Sequence, residues 1–417
     1  MSNNIINMSY GEILDKVDSY NLYGQSIREI YFLILKRKFF TWKEKYNIEI
    51  IGDINNFEQP HKLELFLRPY DKNFAQQKGI TFVDNCVDIR EEYLTIWFEE
   101  SKLDTIAEWI QFFPNIVDCY LKIDYEGSLN VTYESIIPSW LNKIPKLNML
   151  SIHDYNLEEV PRWLENLLIT KLSIGSSCLK SFPYLKKLKY RLEYLVVNDL
   201  SLYGNKISLP QNLGEYQNLR VLSLPPLKKL PIDIGKLKNL EEIHLHVAED
   251  YKYHSNPMKV PSFIYNLTKL KVLSISGHYS WIELSNEIEK LQELTILKIN
   301  RCRVINMPKE IKHLKKLISL RLYLTDVELP DSIKTLPNLD EESKKIILEL
   351  EAENAWKDIT VYGNNDKKDF VNYIDKYPNS IYRKEAEKKI NELSNPFKRI
   401  RKLLTRSHAL RGNAYER

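Results

Sequence analysis

The sequence predicts an α/β repeat solenoid, with a curved parallel sheet on its concave face and short helical or irregular segments returning along its convex face. Three observations carry this expectation. One phrase, Leu-x-x-Leu-x-Leu followed by a polar step and Leu-Pro-x-x-Ile-x-x-Leu, recurs in "LRVLSLPPLKKLPIDIGKL" (219–237), "LTILKINRCRVINMPKEIKHL" (294–314) and "LISLRLYLTDVELPDSIKTL" (317–336). Its clear starts, Leu147, Ile169, Leu192, Leu219, Leu240, Leu270, Leu294 and Leu317, lie 22, 23, 27, 21, 30, 24 and 23 residues apart. The segments on either side lose the phrase, as the capping ends of a repeat array do.

Residues 1–90 read as a mixed α+β cap. Ile27, Ile30, Tyr31, Ile34 and Phe39 recur near helical spacing within 26–47, and short β-like runs follow at 48–52, 63–67 and 80–83. From 91 to 339 runs the solenoid, about nine or ten units with the first two degenerate: "YLTIWF" (93–98) opens one and "IVDCYLKI" (116–123) the next. Spacings of 27 and 30 place insertions at 198–206 and 248–257, which a solenoid extrudes as surface loops.

Alternation along each strand sends Leu150 and Ile152, or Leu320 and Leu322, into the coil. Pro161, Pro210, Pro231, Pro261, Pro308 and Pro330 open the return segments, where a fixed φ suits a first helical turn. Ile234 and Leu237, or Ile311 and Leu314, then complete the core. The phrase resembles leucine-rich repeats, many of which carry Asn after the strand to hydrogen-bond between coils; here that slot holds Tyr155, Ser177, His278, Cys302 and Thr325.

After Leu339 the pattern turns helical. "DEESKKIILELEAENAWKDI" (340–359) carries acidic residues in its first turn, and a second helical pair over 366–393 breaks at Tyr377-Pro378. Residues 340–394 therefore read as a helical C-terminal cap, with Trp356, Phe370, Tyr373, Tyr377, Pro378, Tyr382, Ala386, Ile390 and Leu393 in packing positions. Residues 395–417 form a basic, disordered tail in which Phe397, Ile400, Leu403 and Leu404 lie among Lys398, Arg399, Arg401 and Lys402.

Charge follows the same division. The chain carries +4 overall, and the tail holds seven Lys or Arg against Glu416, a local +6, so the rest is about +4 − 6 = −2. A nearly neutral body makes no case for nucleic acid; an adaptor tethered to an anionic membrane or nucleic acid could work only through the tail. No run of about 18 apolar residues occurs and no secretion leader opens the chain, so a cytoplasmic monomer is expected. Cys86, Cys119, Cys178 and Cys302 are scattered without a Cys-x-x-Cys pair, which fits a reducing compartment.

Catalytic signatures are missing. There is no phosphate loop, since "YGNKIS" (203–208) lacks its first glycine and spacing, and no Gly-x-Ser-x-Gly elbow. His244 and His246 share one strand face, but Ser223, Pro225, Ser274 and Ser276 beside them are not a ligand set. Only Glu249, Asp250 or His254 from the insertion could complete a metal site. No enzyme activity, cofactor or metal is expected.

The outward positions of the strands remain. Three columns emerge: Met149, Lys171, Tyr194, Val221, Glu242, Val272, Ile296, Ser319; then Ser151, Ser173, Val196, Ser223, His244, Ser274, Lys298, Arg321; then His153, Gly175, Asn198, Pro225, His246, Ser276, Asn300, Tyr323. The first is notably apolar, the second small with positive charge at its end. Exposed apolar rows are what an interface leaves in a sequence. The phrase resembles the short Leu-Pro-x-x-Ile type of leucine-rich repeat protein found in bacteria and in intracellular Ras-group scaffolds, over roughly 91–339. The C-terminal pair resembles a single tetratricopeptide-like hairpin. The resemblance implies a non-catalytic binding scaffold, the sensor or adaptor half of a larger system. The residues expected to meet a protein partner are Tyr194, Asn198, Val221, His244, His246, Val272, Ile296, Lys298, Asn300, Arg301, Arg321 and Tyr323, with Lys298, Arg301, Arg303 and Arg321 favouring an acidic patch on it.

Overall fold

In the computed structural model the described residues are 41, 43–45, 49–52, 62–68, 86–89, 93–99, 110, 115–123 and 137–394, less 155–156, 201–206, 228–229, 248–257, 324 and 364–365. The chain divides into two compact units, Met1–Ala248 and Glu249–Arg417.

Among the described residues the first unit holds ten strands: β1 (Glu49–Gly52), β2 (Lys62–Arg68), β3 (Cys86–Ile89), β4 (Tyr93–Glu99), β5 (Asp118–Ile123), β6 (Met149–Asp154), β7 (Lys171–Ser176), β8 (Tyr194–Asp199), β9 (Val221–Leu227) and β10 (Glu242–Val247). From β5 onward they stack in chain order, all parallel. Their inward residues, among them Leu150, Ile152, Leu172, Ile174, Leu222, Leu224, Ile243 and Leu245, are at most 1% exposed. Full burial of such a side chain contributes about 1.5–3 kcal/mol, which is why the leucine spacing dictates the coil.

Ahead of β5 the order departs from the sequence expectation. The strand at 93–99 does not begin the stack; β2 lies between β4 and β5, parallel to both, while β3 runs antiparallel to β4 and parallel to β1. The spacing of apolar residues specifies that a strand buries one face, and it leaves open which neighbour supplies the ladder. The proposed helix over 26–47 lies outside the described residues except at Thr41 and Lys43–Lys45, which are helical. The run at 80–83, the insertion residues 201–206 and 248–257, and the tail 395–417 also lie outside them.

The second unit holds β11 (Met258–Lys259), β12 (Val272–Glu283), β13 (Ile296–Val304), β14 (Ser319–Tyr323) and β15 (Asp326–Val327), with helices α1 (Glu341–Lys357), α2 (Lys367–Lys376) and α3 (Arg383–Ser394). β12, β13 and β14 stack in order and parallel; β11 pairs with β12 and β15 with β13. With the 3-10 turns that return its coils, each unit has the α/β leucine-rich-repeat solenoid fold.

The prolines sit one position earlier than a first-turn role requires. Pro161, Pro231, Pro261, Pro308 and Pro330 are N-caps with extended ψ of 126–142°, and each carbonyl accepts the first i→i+3 bond of its turn, as in Ile234 N–H to Pro231 at 3.2 Å. Pro210 is not a cap at all, because Asn212 caps the turn Leu213–Glu215. Two further turns have a non-proline cap, Leu185 and Ser285, and so carry an N–H that proline would lack. A fully buried tyrosine from an adjacent coil takes each one: Leu185 N–H donates to Tyr216 Oη and Ser285 N–H to Tyr265 Oη, both at 3.0 Å. Burial pushes the Tyr265 phenol up to about 12.

The coil-to-coil hydrogen bonds also lie where the phrase does not place them. Ser176, one residue before the expected Ser177, is fully buried and donates to the Leu157 carbonyl at 2.7 Å. Thr325 does fill its slot, donating to the Ile299 carbonyl at 2.8 Å, whereas Cys302 turns back on Asn300 of its own strand. A second set stands at the opposite corner, just before the strands. There Asn218, Asn239 and Asn338 donate to the carbonyls of Tyr190, Gln217 and Lys315, one coil back, at 2.7–2.9 Å.

The helices close the sheet edge of the second unit. Asp340 caps α1 through its bond to the Ser343 N–H, and Ser343 Oγ, fully buried, accepts the Leu320 N–H of β14 at 2.8 Å. An edge strand left open pairs with other chains, so covering it is protective. Trp356, Phe370, Tyr373, Tyr377 and Ala386 form the buried centre joining α1 to α2 and α3, with Tyr382, Ile390 and Leu393 against it. Of the positions the sequence offers for this packing only Pro378 is exposed.

Candidate functional site

The pairing registers place the outward residues in the columns read from the sequence. In the first unit, Met149, Lys171, Tyr194, Val221 and Glu242 are successive partners; so are Ser151, Ser173, Val196, Ser223 and His244; and His153, Gly175 and Asn198 begin the third column. That column stops there. The ladder shifts after Leu245, so that Val247 pairs with Leu227, and His246 does not fall opposite Pro225. Pro225 has no N–H for the ladder and is buried, as are Val196 and Ser223, each 7% exposed. The middle of this face is therefore a shallow floor with Tyr194, Asn198, Val221, His244 and His246 half-buried around it.

His244 is engaged along its own strand face. Its Nε2 lies 2.7 Å from Glu242 Oε1, two residues along the same strand face. Among the described residues no group of three or more His, Cys, Asp or Glu is arranged to hold a metal ion, and Glu249, Asp250 and His254 lie outside them. Tyr194, register-adjacent to Val221, has its phenol pushed up by burial and then by the Glu242 carboxylate.

In the second unit the registers give three complete rows: Val272, Ile296, Ser319; Ser274, Lys298, Arg321; Ser276, Asn300, Tyr323. With about 4.8 Å between strands and about 6.8 Å between alternate residues, the block covers roughly 10 by 14 Å of backbone. Val272, Ile296 and Lys298 are half-buried, and Tyr323 stands 62% exposed at one edge.

The four basic residues grouped by the sequence separate into three environments. Arg321 is committed within the chain. Its guanidinium grips Asp340 at 2.9 and 3.1 Å, reaches Glu342 at 2.7 Å and donates to Ser343 Oγ at 3.0 Å. The Arg321 hydrogen bonds hold the Asp340 carboxyl well below the usual range. Arg321 thus fastens the start of α1 to β14, and four of its five donors are occupied. Lys298, its register partner, makes no ion pair among the described residues. Arg301 and Arg303 lie farther along β13, past a break in alternation: residues 296, 298 and 300 face out, but so do 301 and 303, while Cys302 and Val304 are buried. Arg301 has φ 51°, the left-handed region, at the point where alternation breaks, and the β12–β13 ladder shifts there, with the extra residues on β12 between Ser276 and Ser280. Non-glycine residues pay for that conformation, so Arg301→Gly should raise stability by about 0.5–1 kcal/mol, read as a higher midpoint in denaturant.

No family model matches the chain. A 164-residue stretch, 39% of the chain, is 27% identical to a probable disease resistance protein of Arabidopsis thaliana, and spans only 16% of that relative. Among solved structures the chain is similar to an internalin of Listeria monocytogenes at 16% identity and TM-score 0.41, covering 60% of this chain and 78% of that one. It is also similar to the Arabidopsis receptor kinase HAESA, solved with the peptide hormone IDA and co-receptor SERK1, at 20% identity and TM-score 0.40, covering 54% and 37%. A leucine-rich repeat protein of Leptospira interrogans matches at 19% identity and TM-score 0.32, covering 70% and 88%.

Proposed function

We propose that this chain is a non-catalytic interaction scaffold that binds a protein partner on the β12–β14 face of its second unit. One observation carries the reading: the register-aligned block around Lys298 combines half-exposed aliphatic side chains, an exposed tyrosine and a cation with no partner among the described residues. Apolar surface supplies the driving force for such contacts, aromatic residues serve as anchors, and an unpaired charge selects a partner of opposite sign. With Arg321 engaged by Asp340 and Glu342, the acidic group of the partner is assigned to Lys298. The floor around Val196 and Ser223 in the first unit offers a second, less polar surface of the same kind. A reducing cytosol is the proposed setting.

The test is affinity capture from the native cell with the tagged full chain, beside a Lys298→Glu, Tyr323→Ala double variant shown by circular dichroism to be folded. Specific partners recovered with the parent should fall at least about tenfold with the variant, the equivalent of about 1.4 kcal/mol. Equal recovery would remove this face as the binding site.

A further inference from the structure

Beyond the break in β13 lies a second surface, formed by strand segments that continue after the coil corner. There Trp281 is the register partner of Arg303, and Ile305 N–H bonds back to the Ile282 carbonyl. Trp281 is 37% exposed and Ile305 44% exposed. The Arg303 guanidinium lies over the Trp281 ring, 5.8 Å from its centroid. Lys259 and Glu283, at the rim, are paired with each other at 3.4 Å. Arg301 and Arg303 are both exposed, and neither has a carboxylate within ion-pair distance among the described residues. Arg301 also holds its left-handed backbone although glycine would relieve it. Retained strain of this kind concentrates where a side chain is needed in a particular place.

We infer that Arg301, Arg303, Trp281 and Ile305 form a docking surface for an extended acidic peptide carrying carboxylates on alternate residues. Arg301 and Arg303 are two residues apart and both face outward, so their backbone positions repeat at about 6.8 Å, the spacing of alternate side chains in an extended strand. Neither guanidinium has an ion-pair partner among the described residues, and each, Arg303 while resting on the Trp281 ring, offers a planar fork that matches a carboxylate. Trp281 and Ile305 supply apolar contact beside the forks for the methylene stems of the two acidic side chains, while the residue between them points away from the surface. A single-stranded nucleic acid has a similar charge spacing, but it needs a succession of open aromatic faces and a basic surrounding. Here one face of the only exposed tryptophan ring in the patch is covered by Arg303, and the chain outside residues 395–417 has a net charge near −2 (+4 overall, +6 in that segment). This surface lies apart from Lys298 and Tyr323 and does not depend on the reading given to them.

The experiment titrates the full chain into a fluorescein-labelled twelve-residue peptide of repeating Glu-Leu and follows anisotropy at low salt. A twelve-nucleotide DNA strand and a Lys-Leu peptide serve as the other arms. Saturable binding of the Glu-Leu peptide that weakens with salt is expected, with at least a tenfold loss in Arg301→Glu, Arg303→Glu and no loss in Lys298→Glu, Tyr323→Ala. Arg301→Gly provides the folding control: it should melt no lower than the parent while binding several-fold more weakly. The inference is overturned if the Glu-Leu peptide fails to bind, if the DNA strand binds and the peptide cannot displace it, or if the arginine variants bind as the parent does.

Discussion

Replacing Trp356 with alanine should cost about 3–5 kcal/mol locally and release the α2–α3 hairpin from α1 while β12–β14 stay folded. Trp356 is 8% exposed and meets three other aromatic rings of the cluster. Its ring stacks on Tyr382 at 5.3 Å and 8°, and meets Phe370 at 5.7 Å and Tyr373 at 5.4 Å. Aromatic pairs in such geometries add stability beyond the area they bury. By contrast the start of α1 is held to the sheet edge independently, through Asp340, Ser343 and Arg321. Hydrogen exchange is the discriminating measurement: amides of α2 and α3 should lose protection, and those of β13 should keep it. A uniform loss along the second unit would show that the helices and the sheet form one cooperative element. Trp356→Phe, which keeps a ring in place, should recover much of the protection.

Removing the Tyr265 hydroxyl should be the next most damaging conservative change. Tyr265→Phe leaves the Ser285 N–H without its acceptor inside the coil, a loss of about 1–3 kcal/mol for a group that side-chain volume alone would call neutral. The role assigned to the hydroxyl gives a sharp control. Ser285 has φ −85° and ψ 154°, close to what proline adopts, and in most other coils proline occupies this place. Introducing Ser285→Pro removes the N–H, so in that background Tyr265→Phe should cost less than about 0.5 kcal/mol. A double-mutant cycle by urea denaturation reads the difference. If Tyr265→Phe costs the same in both backgrounds, the hydroxyl is not there for the capping N–H. In the first unit Tyr216 likewise accepts the Leu185 N–H, and it also donates to the Leu185 carbonyl at 3.4 Å, so Tyr216→Phe removes two bonds there.

The columns on the sheet face could be read from the sequence because alternation is a property of any strand and the repeat aligns one strand with the next. Their partners could not. Arg321 looks like an open cation in a list of outward residues, and nothing near it in sequence reveals that Asp340 and Glu342 return to it. Arg301 and Arg303 look like neighbours of Lys298, but alternation along β13 breaks at the left-handed Arg301, so they do not continue the row of residues 296, 298 and 300. The Ser176 bond to Leu157 lies one residue from the slot that counting predicts, since which residue turns inward at the corner depends on where the strand ends.

The sequence by itself determined the solenoid, its repeat positions, the helical end of the second unit and the residues that fill its aromatic centre. Each of these follows from the spacing of apolar side chains, and burial rewards that spacing locally, coil by coil. Tertiary structure alone decided the insertion of β2 between β4 and β5, the tyrosines that stand in for proline, the asparagines that bridge coils before the strands, and which cations remain unpaired. Those outcomes depend on hydrogen-bonding groups, a strand's ladder in the first case and single polar groups in the others, finding partners remote in the chain, and hydrogen bonding obeys distance and direction, which leave no period in a sequence.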